Sequence, residues 1–111
     1  MAAAAFMANR FKDVLNGQTF IVETRRWHAK VIGEPHIRDS YHDSDELPYV
    51  DYQMEFTDGS QHLQTKLSVW SPYLNDEDKH PDVHPWVRQW IECLLQDTTD
   101  WVEELVVGPP I

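Results

Sequence analysis

The chain holds one cysteine, four glycines and nine cationic side chains among its 111 residues. Each scarcity excludes something. One cysteine makes no internal disulfide framework and fits a reducing compartment. Four glycines leave no glycine-rich cradle for phosphates, and neither a P-loop nor a G-x-S-x-G sequence is present. Nine Lys and Arg against nineteen Asp and Glu set the net charge at −10. That balance speaks against direct binding of nucleic acid or an anionic membrane, because phosphate contacts need clustered cations. No apolar run approaches the roughly 20 residues of a membrane span. The N-terminus lacks the basic start of an export signal, so the expected setting is cytoplasmic.

What is present suffices for a core. Hydrophobic residues make up 41% and aromatic residues 12% of the chain, too many for intrinsic disorder. The length predicts one domain over 1–111. Met7 reads as a native start, with residues 1–6 a non-native or disordered extension and 107–111 a tail. Charge is uneven. Residues 1–38 carry six cations and three acids, whereas residues 39–111 carry three cations and sixteen acids.

Periodicity predicts a helix over 3–15, with Phe6, Met7, Phe11, Val14 and Leu15 on one side, stopped by Asn16-Gly17. Thr19 to Ile32 is β-rich, but Phe20 and Val22 alternate out of phase with Trp27, Ala29 and Val31. A bulge around Thr24–Arg26 would reconcile the halves. Val50, Tyr52, Met54 and Phe56 alternate with polar residues up to Asp58-Gly59, which predicts a hairpin over 49–70 with a two-residue turn. Counting from that turn pairs Met54 with Leu63, Tyr52 with Thr65, Val50 with Leu67, Asp51 with Lys66 and Glu55 with His62. Val50, Tyr52, Met54, Leu63, Leu67 and Val69 face the core.

His84-Pro85 reads as a helix start. A helical period then runs through Trp86, Val87, Trp90, Ile91, Leu94, Leu95, Trp101, Val102 and Leu105, with Thr98 and Thr99 as weak points. The expected fold is α+β: a three-stranded, or slightly larger, antiparallel sheet with the N-terminal helix and a long C-terminal helix on one face. The expected core is Phe11, Val14, Phe20, Val22, Met54, Phe56, Leu67, Trp90, Ile91, Leu94 and Val102.

Six histidines raise metal binding. His80 and His84 stand four apart beside Asp78 and Asp82, but Pro81 and Pro85 disfavour a helix there. His36 and His42 lie near Asp39, Asp43 and Asp45 in a polar stretch without a ligand spacing. No metal, cofactor or catalytic residue is therefore assigned. Cys93 falls at the edge of an apolar helical arc, a boundary position rather than a nucleophile's.

The acids are more telling. On the wheel of the long helix, the arc opposite the core carries Arg88, Glu92, Cys93, Gln96, Asp100, Glu103 and Glu104 among others, four acids against one base. Asp97, Asp100 and Glu104 recur at helical spacing, roughly 4.5–6 Å along the axis, comparable with the roughly 3.4 Å spacing of phosphates along a strand. The expected partner-binding surface is Glu92, Asp97, Asp100, Glu103 and Glu104, joined by Asp76, Glu77 and Asp78. Its expected partner is a basic protein, such as a nucleic-acid-binding enzyme or complex.

By analogy of charge and size, the expected function is a non-enzymatic acidic domain that blocks a basic, nucleic-acid-binding surface. An inhibitor, an immunity protein or a phage anti-defence DNA mimic acts in this way. Two alternatives stand beside it. One is a ligand- or metal-binding module, or an enzyme, with a pocket walled by Tyr41, Tyr49, Tyr73 and the histidines. The other is a structural or adaptor subunit that uses Trp and Tyr patches in a homodimer.

Overall fold

The computed structural model describes residues 2–38, 49–74, 83–99 and 101–109, with backbone alone for residues 2–5. Alanine-rich Ala2–Leu15 forms α1, so the helix begins within the expected N-terminal extension. It ends at Gly17, whose φ of 91° suits a residue without a Cβ. The next residues tie this end to the sheet. Gly17 N–H donates to the Ala29 carbonyl, and the Asn16 Oδ1 accepts from Val31 N–H at 3.0 Å.

β1 (Thr19–Val22) and β2 (Arg25–Ile37) form an antiparallel hairpin around Glu23-Thr24. Phe20 pairs with Trp27 and both are buried. The out-of-phase alternation therefore marks a reversal of the chain, not a bulge in one strand. A true irregularity lies further along β2, between Ile32 and His36.

β3 (Tyr49–Thr57) and β4 (His62–Trp70) form the expected hairpin, but two residues out of the expected register. Met54 faces Thr65, Tyr52 faces Leu67, Val50 faces Val69 and Asp51 faces Ser68. The cause is the connection, which uses four residues rather than two. The Asp58 Oδ1 accepts from the backbone N–H of Ser60 (2.9 Å) and of Gln61 (2.8 Å), building an Asx turn. A slip of two leaves every side chain on its original face, so apolar alternation is blind to it.

The C-terminal half corrects the expected fold. After a short 3₁₀ turn (Ser71–Leu74), α2 spans Pro85–Gln96 only. His84 caps it, with Nδ1 accepting from Trp86 N–H at 3.1 Å, and Pro85 occupies the first turn. The helix stops at Asp97, whose carboxylate accepts from Thr99 N–H and Oγ1. The chain then forms β5 (Glu104–Val107), which pairs in parallel with β4. Among the described residues the sheet is five-stranded and mixed, in the order β1-β2-β3-β4-β5. It is not a three-stranded antiparallel sheet under two helices. α1 packs on β2, whereas α2 touches both edge strands, β1 and β5. The sheet curls, and α2 bridges the gap between its edges.

The core lies inside this curl. Trp27, Tyr52, Phe20, Phe56, Leu15, Met54, Leu67 and Ile91 are its largest fully buried side chains. Tyr52 donates its hydroxyl to the Ala8 carbonyl at 2.8 Å, which fastens α1 over β3. Of the expected core, Phe11, Phe20, Met54, Phe56, Leu67, Ile91 and Leu94 are buried, and Val14 and Val22 pack against them. Trp90 and Val102 are instead exposed, at 38% and 41%. One continuous helix would turn both inward, but α2 ends at Gln96 and leaves them outside the core. Val107, expected in a tail, is completely buried.

Candidate functional site

The expected acidic helix face does not form, because α2 ends at Gln96 and its described acids fall on α2, at the end of α2 and at the start of β5. Glu92 lies on α2, half-buried. Arg88, on the same flank, turns toward β1: its guanidinium lies 4.7 Å from the Phe20 ring centroid and donates to Gln18 Oε1 at 2.9 Å. Asp97 caps the end of α2 and is exposed. Glu103 is exposed just before β5, and its carbonyl accepts from Lys66 N–H at 2.9 Å. Glu104 is the first residue of β5. Asp100 and the run Asp76, Glu77 and Asp78 lie outside the described residues.

Glu104 belongs to an ion network across the outer side of the sheet. Arg38, just after β2, donates to Asp51 on β3 (3.0 Å), Ser68 on β4 (2.8 Å) and Glu104 on β5 (2.9 Å). Lys66 Nζ stands 3.6 Å from the Glu104 carboxylate. Burial alone would raise the Asp51 carboxyl. Hydrogen bonds from Arg38 and then Ser68 outweigh it and hold that carboxyl below its ordinary range. Arg38 above all holds Glu104 low as well. The expected Asp51–Lys66 pair is thus replaced by Asp51–Arg38. The network acts as a cross-strand clasp.

Its Ser68, Asp51 and His36 do not make a nucleophilic relay. Ser68 Oγ is fully buried and donates directly to Asp51 at 2.7 Å, while His36 stands outside Asp51 at 3.7 Å. Activation of a hydroxyl requires the imidazole between serine and carboxylate. Among the described residues no group of three or more His, Cys, Asp or Glu is arranged to hold a metal ion. His84 serves as the α2 cap, and His42 and His80 lie outside the described residues.

The aromatic wall of the ligand-pocket alternative closes on the chain's own backbone. Tyr73 and Trp86 both donate to the Gly108 carbonyl, at 2.9 and 3.3 Å. A Cβ at Gly108 would come within 2.7 Å of the Tyr49 hydroxyl. Tyr41 lies outside the described residues.

A cleft opens elsewhere, between α2 and β5. Trp90, Cys93, Leu94 and Asp97 line one side, and Val102 and Leu105 the other, around about 240 Å³. The α2 residues follow the i, i+3, i+4, i+7 spacing of one helical stripe. Trp90 holds its orientation through an edge-on contact with Trp86, centroids 5.9 Å apart. Trp101, expected on one helix with these two, packs instead on Phe56 and donates to the Gln64 carbonyl at 2.7 Å. The cleft is hidden from a helical period, which turns Trp90 and Val102 inward. The signal for β5 is Leu105-Val106-Val107 ahead of Gly108-Pro109, an apolar, mostly β-branched stretch that favours a strand. No helix of the described residues is long and apolar enough to cross a membrane. Compared with models of known families, with curated proteins and with solved structures, the chain matches none.

Proposed function

We propose that this protein is a non-enzymatic, acidic binding domain that covers a basic, nucleic-acid-binding surface of a protein partner and thereby blocks it. The observation that carries the reading is the cleft between α2 and β5, apolar within and bordered by Asp97, on a chain of net charge −10. An apolar floor with an exposed aromatic anchor supplies affinity, and the surrounding anions supply steering and selectivity for cations. Asp97 and Glu103 are the acids of the expected surface that stand exposed near this cleft. Glu104 contributes less, because Arg38 and Lys66 already offset its charge. The satisfied hydrogen bonding of Asp51 and Ser68 favours a structural role for the buried polar groups over a catalytic one.

The test pairs Asp97→Asn with Glu103→Gln, which removes two charges while keeping the turn at Asp97. Capture of partners from a host lysate at low salt, followed by surface binding at two ionic strengths, is the measurement. The double variant should associate several-fold more slowly at low salt and converge with the native chain at high salt. Equal rates at both salt concentrations would reject the acidic reading.

A further inference from the structure

The hydrogen-bond phase of β5 indicates how such a partner docks. Lys66 N–H donates to the Glu103 carbonyl, and Lys66 is in register with Glu104. In a parallel ladder, each bonding residue spans the two neighbours of its register partner. Residues 103, 105 and 107 therefore turn their backbone groups toward β4, and Glu104 and Val106 turn theirs outward. Among the described residues β5 pairs with β4 alone, and both Glu104 and Val106 are exposed. Among the described residues, two N–H and two carbonyl groups of this edge therefore have no strand partner, beside the Trp90–Val102 cleft. An unpaired edge of this kind is a template for another strand.

We propose that β5 is a docking edge to which a basic, extended protein segment adds as a sixth strand. This rests on the reading of the partner as basic, and it specifies the segment's chemistry: alternating cationic and apolar residues. Backbone bonds to Glu104 and Val106 set the register. Apolar side chains on one face enter the cleft at Trp90, Val102 and Leu105. Cationic side chains on the other face meet Glu104, and a cation beyond the paired residues reaches Asp97 at the mouth of the cleft. Charge selects this occupant over a second copy of the chain, since edge-to-edge pairing would bring two bodies of −10 together and set Glu104 of each near the other.

The probe is an end-capped octapeptide alternating lysine with valine or isoleucine, compared with an equally charged peptide interrupted by prolines. The protein variants are Val106→Pro, which deletes one outward N–H while sparing the bonds to β4, and Val106→Thr as its control. Proline is tolerated on an edge whose N–H faces solvent. The alternating peptide should bind the native chain and Val106→Thr alike, and Val106→Pro at least ten-fold more weakly at unchanged melting temperature. Should Val106→Pro melt early, exchange of the Val106 amide in the native chain decides: protection by the peptide supports strand addition, and unchanged exchange overturns it. Equal binding of the proline-interrupted peptide, or of Val106→Pro, also overturns strand addition while leaving the basic-partner reading intact. If neither peptide binds at low salt, strand addition fails. The basic-partner reading then fails with it only if Asp97→Asn/Glu103→Gln also leaves partner capture unchanged.

Discussion

The β3–β4 hairpin and the β4–β5 junction share a strand but are held by different physics. β3 and β4 run for nine residues each, pair antiparallel through a four-residue turn and bury Val50, Tyr52, Met54, Phe56, Leu67 and Val69. Their order is local: the turn closes a short loop, and each later pair follows at little extra entropy. β5 has four residues, arrives after a helix and pairs in parallel. Two apolar anchors, Leu105 and Val107, and the Arg38 clasp hold it. The inner hairpin supplies the core. The outer junction supplies the exposed cleft and edge, and its fewer apolar anchors suit the docking surface proposed above.

The strongest way to break this contrast is to strike the hairpin. Phe56→Ala should cost about 3–5 kcal/mol, since the ring is buried between Phe20 and Trp101. Urea denaturation should show the whole protein unfolding at lower denaturant in a single transition, not β5 alone.

A smaller effect is expected at the clasp. Asp51→Asn should cost about 2–3 kcal/mol, somewhat under the range for a fully buried pair because Arg38 is partly in water. It should speed amide exchange in β5 more than in β3. The same carboxylates dictate a pH response. Asp51, Glu104 and Asp58 are held low in the folded state, Asp58 by the backbone N–H of Gln61 and Ser60. Their contribution is complete above the unfolded-state value of roughly 4 and is lost as pH falls through the lower folded-state values. Melting temperature should therefore decline on acidification below that value, and decline less steeply in Asp51→Asn.

The smallest effect concerns the end of β5. Gly108→Ala would press a methyl group against the Tyr49 hydroxyl, at an expected cost of about 1 kcal/mol. Tyr49→Phe in the same chain should recover most of it, as a thermal-melt double-mutant cycle would show.

The contrast also explains what was legible in the sequence. α1, the hairpin faces, the His84-Pro85 start and most of the core could be read, because local periodicity and capping determine them. The register could not, since a slip of two preserves both faces and the decision rests with the Asp58 side chain. β5 could not either: Leu105 continues a helical period in phase with Ile91 and Leu94, and only docking beside β4 makes it a strand. The same helical period places Asp97, Glu103 and Glu104 on one helix, whereas α2 ends at Gln96 and β5 begins at Glu104. The clasp joins Arg38, Asp51, Ser68 and Glu104 across up to 66 positions, a separation no local pattern reports.

Residue-resolved native-state hydrogen exchange, with and without the alternating basic peptide, tests the account most directly. In the free protein, Met54 should exchange only through global unfolding, Leu105 and Val107 through a smaller local opening, and Val106 with little protection. With the peptide bound, Val106 should become protected and the Leu105 and Val107 openings should grow rarer. A β5 as slow as β3 in the free protein, or a Val106 amide unchanged in the complex, would contradict the account.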